Sequence, residues 1–177
     1  GNNFDELNRD GKFQLWRRRL MAADISHRAK YLPMVRDLSD EYDIYHKLVG
    51  AIITVESNWE PLALRFEKDF NYLTIPQKYA KKNKTSLDTE IALQRFSYGL
   101  CQIMGGTARW LGYEGALLDL LDVETNLRWA LKHLANLEKT YEEATDVVAA
   151  YNAGSPRRKA NGEYVNQSYV KKVMSLI

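Results

Sequence analysis

One carboxylate stands out along this chain of 177 residues. In VESNWEP, residues 55–61, Glu56 closes an apolar run, Leu48-Val49-Gly50-Ala51-Ile52-Ile53-Thr54-Val55. If that run is a helix, Val49, Ile52, Ile53 and Glu56 share one face, because residues three and four apart are neighbours. An acid therefore occupies a position that the pattern reserves for an aliphatic side chain. Burial disfavours the ionised form and raises the pKa. A carboxyl that stays protonated near neutral pH is what general acid catalysis needs. Two plainer roles stay open for Glu56: a helix-end acid turned to solvent, or one half of a buried ion pair.

Few other residues offer chemistry. No GxxxxGK[ST] or GxGxxG occurs, so no phosphate-cradling loop is indicated. His27, His46 and His133 are scattered, and there is no CxxC or HExxH, so no metal site and no cofactor are expected. GxSxG is absent too. Cys101 sits in an apolar setting and reads as a buried, inert thiol. What remains is Glu56, a glycine-punctuated stretch, SYGLCQIMGGTARWLG, and a Tyr151-Asn152 pair near a helix end. A lone activated carboxylic acid among aromatics points to cleavage of a glycosidic bond.

The elements that must position these residues are helical. Pro33 is suited to start a helix, along which Met34, Leu38 and Tyr42 follow at helical spacing, and Pro61 ends the apolar helix of Glu56. LALRFEKDFNYL shows no clean period, and KKNKTS reads as an exposed loop. Thr85-Ser86-Leu87-Asp88 offers capping oxygens for a helix through Glu90, Ile91, Leu93, Gln94 and Phe96. Asp122 caps a strong helix with Leu127, Leu131, Leu134, Leu137 and Tyr141 on one stripe. DVVAAYNAG forms another apolar helix, closed by Gly154 with Pro156 beyond. The tail, VNQSYVKKVMSLI, is amphipathic with Tyr169, Val170 and Val173 inward. Strand signals are few, and the fold class expected is all-α or nearly so.

Composition bounds the partners. The chain is 45% hydrophobic and 27% charged, ordinary for a globular domain. A net charge of +2 gives no case for nucleic acid. The basic stretch over residues 12–31, with Arg17, Arg18, Arg19 and Arg28, reads as a solvated helical face. No apolar run approaches the roughly 18 residues of a membrane span. The polar start GNNFDELNRDGK lacks the apolar centre of a signal peptide, so a mature product, a trimmed chain or another export route is expected.

Three blocks, ESNWEP at 56–61, SYGLCQIM at 97–104 and AYNAG at 150–154, resemble in content and order the motifs of the soluble lytic transglycosylase (SLT) family. ALRFEKDFNYL and the closing AYNAGSPRRKANGEYVNQSYVKKV resemble its phage-like branch. The resemblance implies a lysozyme-like transglycosylase domain over residues 30–177, with a lead-in and basic helix over 1–29 as a helical N-terminal extension. It implies peptidoglycan glycan strands as the partner and a monomer as the working unit. It implies action in the cell wall or periplasm, or from a phage virion.

Carried over residue by residue, the resemblance makes Glu56 the single catalytic acid, with Ser57 beside it to cap or orient. Ser97, Gly99, Gln102 and Met104 would line the cleft, Gln102 bonding sugar groups, Met104 packing on a sugar and Gly99 letting the glycan approach. Cys101 stands where the family usually has methionine. The Tyr151 hydroxyl would hold the Glu56 carboxyl, and Asn152 would bond backbone or substrate. The implied reaction cuts the bond between N-acetylmuramic acid (MurNAc) and N-acetylglucosamine (GlcNAc) and leaves a 1,6-anhydro end. The rivals are a goose-type hydrolase and a non-catalytic glycan-binding or virion module. The hydrolase needs a second carboxylate, with Glu60, Glu67 and Asp69 as candidates and Glu67 foremost.

Overall fold

The computed structural model describes residues 27–177, so the lead-in and most of the expected basic helix lie outside the described residues. The first described helix, α1, covers residues 27–41. It runs through Pro33 rather than starting there, and it crosses the boundary expected at residue 29. Pro33 is on the exposed side, while Val35 and Leu38 enter the core and Met34 and Tyr42 pack at its edge. That burial offsets the roughly 3 kcal/mol by which an interior proline disfavours a helix.

Helix α2, His46–Ser57, follows and buries Leu48, Val49, Ala51, Ile52 and Ile53. The patternless stretch after it supplies β1, Leu64–Phe66, the outer strand of a small antiparallel sheet with β2, Phe96–Tyr98, and β3, Ile103–Met104. Arg65 pairs with Ser97, and Ser97 in turn with Met104. Between β1 and β2 lie α3, Pro76–Lys82, and α4, Leu87–Gln94; within the expected capping stretch it is the Ser86 side chain that caps α4, and the helix stops at Gln94 because Phe96, expected within it, begins β2. The loop expected over 81–86 is shorter than read, because burial of Tyr79 and Ala80 extends helix through Lys82.

Next come α5, Gly105–Trp110, a short 3-10 turn at Leu117–Leu121, and α6, Val123–Thr140. Asp122 caps α6, and Leu127, Leu131, Leu134 and Leu137 are buried on its stripe. Helix α7, Ala144–Ala153, ends at Gly154 in the left-handed conformation. Helix α8, Gln167–Met174, buries Val170 and Val173. The protein is mostly helical, with a minor sheet.

Two apolar cores result. The larger joins α1, α2, α6, α7 and α8, and includes Leu100 and Cys101. The smaller gathers Tyr98, Ile103, Ala108, Leu111, Tyr113, Leu117 and Leu120. The segment 97–104 thus sends side chains into both cores, which fixes it as the seam beside the end of α2.

Candidate active site

Glu56 lies in the last turn of α2, one turn beyond the fully buried Ile52 and Ile53. The chain leaves that helix abruptly. Asn58 and Trp59 both take positive φ, 50° and 66°, a conformation costly for side-chain-bearing residues. Trp59 offsets the cost by burying its ring, and its indole N–H donates to Thr54 Oγ1 at 2.9 Å. Ser57 donates to the Leu100 carbonyl at 2.7 Å, tying the end of α2 to the 97–104 segment.

Among the described residues the Glu56 carboxyl accepts one hydrogen bond from a side chain, from Tyr169 Oη to Oε1 at 2.7 Å. Burial lifts its pKa above the ordinary glutamate value. The Tyr169 bond and nearby Arg65 pull it down, and the charge of Glu67 pushes it up. Glu56 opens into a pocket of about 400 Å³ that Val55, Arg65, Asn152, Asn166, Ser168, Tyr169 and Lys172 also line. It is the one acid among those residues.

The hydroxyl on Glu56 is therefore that of Tyr169, not Tyr151. Tyr151 instead donates to the Cys101 carbonyl at 2.7 Å, and its ring lies 5.5 Å from that of His133. Burial drives the Tyr151 phenol well above its usual pKa, and the charges of Cys101, Glu56 and Tyr169 add to that rise. Tyr151 is thus a neighbour of the acid without being its hydrogen-bond partner. Asn152 does line the acid's pocket, where its Oδ1 accepts from Asn166 Nδ2 at 2.9 Å.

The 97–104 block mainly supports the site from beneath. Gln102 was expected on sugar groups. Its amide instead accepts from Ser97 Oγ at 2.8 Å and donates to the carbonyls of Ala63 and Gly99. Ser97 is buried. Gly99 is needed for a different neighbour than a glycan: a Cβ there would come within 2.6 Å of Asn126 Nδ2, and its φ is +66°. Asn126 pins the seam by donating to the Tyr98 and Leu120 carbonyls and accepting from the Cys101 amide. Met104 is half-buried and lines neither the acid's pocket nor the cleft beyond it. Burial pushes the Cys101 thiol far up, so it is inert as expected.

Glu67 is held by Arg65, with Nε to Oε1 at 2.6 Å. Glu60 accepts from the Leu62 amide and lies 3.9 Å from His27. Among the described residues no cluster of His, Cys, Asp or Glu could hold a metal ion.

A larger cleft of about 680 Å³ lies on the other side of Tyr151. Tyr72–Thr74, Gly106, Thr107, Trp110, His133, Asn136, Tyr151 and Gly154 are among the residues that line it. Tyr151 lines this cleft, and the next residue of α7, Asn152, lines the acid's pocket.

Two residues important here were not singled out as functional from sequence. Tyr169 was legible only as an inward residue of the tail, 113 positions from Glu56. Asn126 carried a usable signal, being an amide beside the leucine stripe of α6. Residues 33–173 match the family model described as Transglycosylase SLT domain. No curated protein and no solved structure matches the chain.

Proposed function

The chain belongs to the transglycosylase SLT domain family, which acts on peptidoglycan, and from that premise we propose a lytic transglycosylase in which Glu56 serves alone as acid and then base. Protonated Glu56 donates to the oxygen joining MurNAc C1 to GlcNAc C4. The C1–O bond breaks, and GlcNAc leaves with a free 4-hydroxyl. The MurNAc 2-acetamido group stabilises the positive charge at C1. The Glu56 carboxylate then takes the proton from the C6 hydroxyl as that oxygen bonds to C1. The ring closes to a 1,6-anhydro end, Glu56 is protonated again, and no water is consumed.

The observation that carries this reading is that Glu56 is the one acid among the described residues lining its pocket, raised in pKa by burial and contacted by a neutral phenol. A protonated carboxyl matches the first step. The Tyr169 hydrogen bond favours the charged form and so eases the second. Ser57, Asn126 and Gln102 serve as the scaffold that keeps the acid and the seam in register. This action belongs at the cell wall, whether delivered through the periplasm or by a phage particle.

One observation favours a hydrolytic variant: Glu67 is near enough for its charge to raise the Glu56 pKa. Its ion pair with Arg65 makes it a poor base for water. Mass analysis of digested peptidoglycan separates the two. Anhydro ends, lighter by one water, are expected. Reducing ends alone would overturn the transglycosylase reading.

A further inference from the structure

Two cations line the pocket of Glu56, Arg65 from β1 and Lys172 from α8. A guanidinium that shares a pocket with a carboxyl is a natural ion-pair partner for it, because its planar fork matches a carboxylate. Here the two do not pair. Arg65 Nε donates instead to Glu67 Oε1 at 2.6 Å, and Glu56 is left with the hydroxyl of Tyr169. Among the described residues Glu67 is the one acid that forms a salt bridge with Arg65.

The backbone brings that pair about. Arg65 lies in β1 opposite Ser97, whose hydroxyl donates to the Arg65 carbonyl at 3.4 Å. Glu67, one residue past the strand, continues the ladder by donating its N–H to the Arg95 carbonyl at 2.8 Å. Residues two apart on a strand point to the same face, so the two side chains meet above a backbone held by β2. Ser97 is bonded in turn to Gln102, which makes the seam beneath the acid and the strand that carries Arg65 one unit.

The charged and titratable groups around Glu56 are few. Tyr169 and Lys172 come from α8, Tyr151 from α7, Cys101 from the seam, and Arg65 and Glu67 from the β1 side. Burial keeps Tyr169, Tyr151 and Cys101 neutral. Arg65 pulls the Glu56 pKa down and Glu67 pushes it up, so the pair presents the acid with two opposed charges rather than one.

We infer that Glu67 is a positioning residue: it serves as the counter-ion of Arg65 and so keeps that guanidinium from becoming the partner of Glu56. Glu67 then acts through Arg65 and not on water. This role accounts for an acid that shares its pocket with a cation and is not neutralised by it. The inference rests on Glu56 as the acid of the site, but it can be tested without turnover.

The experiment follows the Glu56 side-chain carboxyl by carbon-detected NMR titration in the full chain and its variants. Glu67→Gln frees Arg65 and should lower the Glu56 midpoint by about half a pH unit, a modest shift because both side chains of the pair reach solvent. Arg65→Gln removes the cation and leaves the Glu67 charge, so the midpoint should rise by a similar amount. Combining the two should bring it back close to the parent, and Glu67→Asp, which keeps the charge, should recover most of the shift. Salt at about 1 M, where the Debye length is about 3 Å, should shrink both shifts. The alkaline fall of kcat/KM should follow the midpoints in direction. Midpoints that stay still, or that move the same way in both single variants, would overturn the inference. So would activity lost at every pH in Glu67→Gln with the midpoint unmoved, which would make Glu67 a base for water. If the unaltered chain released no fragments from peptidoglycan while the midpoints moved in opposite directions, the catalytic reading would fail and the role of Glu67 on Arg65 would stand.

Discussion

Glu56 and Glu90 are both carboxyls withdrawn from water on a helix, and their surroundings differ in one decisive respect. Glu90 is 1% exposed and meets a full countercharge. Arg109 donates from Nε to Oε1 at 2.8 Å and from Nη2 to Oε2 at 3.2 Å, with Gln94 adding a third bond. Arg109 in turn satisfies the carbonyls of Tyr113 and Gly115 and stacks over Tyr79. Glu56 has a phenol on one oxygen and a pocket in front of it. Burial alone does not make an acid catalyst. A carboxyl becomes one where burial comes without a paired cation and with an opening for substrate.

The contrast breaks hardest at Glu56 itself. Glu56→Gln keeps the shape and removes the proton, so release of fragments from purified peptidoglycan should fall by about a thousandfold or more. A variant that cleared cell walls like its parent would end every enzymatic reading and leave a glycan-binding module. At the other carboxyl, the expected loss is of fold rather than chemistry. Arg109→Met strands the Glu90 charge and should cost about 3–5 kcal/mol in urea unfolding. Replacing both, Glu90→Leu with Arg109→Met, should restore much of that, because a buried pair exchanged for apolar packing is often near neutral.

Tyr169→Phe sharpens the comparison by removing the one side-chain hydrogen bond that Glu56 receives among the described residues. That bond lowers the Glu56 pKa, so its loss should move the alkaline fall of kcat/KM to higher pH, since the acid must be protonated to act. The peak rate should drop about tenfold, within the reach of one hydrogen bond to a charged group. The smallest effect concerns stability. Because the folded chain holds the Glu56 proton more tightly than the unfolded one, the carboxyl costs nothing below its unfolded pKa. Its cost grows as pH rises from that value to the raised one. Glu56→Gln should therefore melt at or above the parent at neutral pH, with the gap closing in acid.

Much of this arrangement was legible in the chain. The leucine stripe of α6, its Asp122 cap, the Gly154 stop of α7 and the misplaced acid of α2 are local patterns, and the structure has each of them. What escaped depends on partners far apart. Tyr169 reaches Glu56 across 113 positions, and Arg109 reaches Glu90 across 19. No periodicity reports such pairings. Pro33 misled because burial of Val35 and Leu38 carries α1 past it. Gly99 and Gln102 stand out in the sequence, but their neighbours in the fold, Asn126 and Ser97, give them a supporting role.

The most direct test is a titration of the Glu56 side-chain carboxyl followed by carbon-detected NMR, with Glu56→Gln to assign the resonance. A midpoint clearly above the ordinary glutamate range is the predicted result. A midpoint within or below that range would mean that the acid is already ionised near neutral pH, and would contradict its role as proton donor.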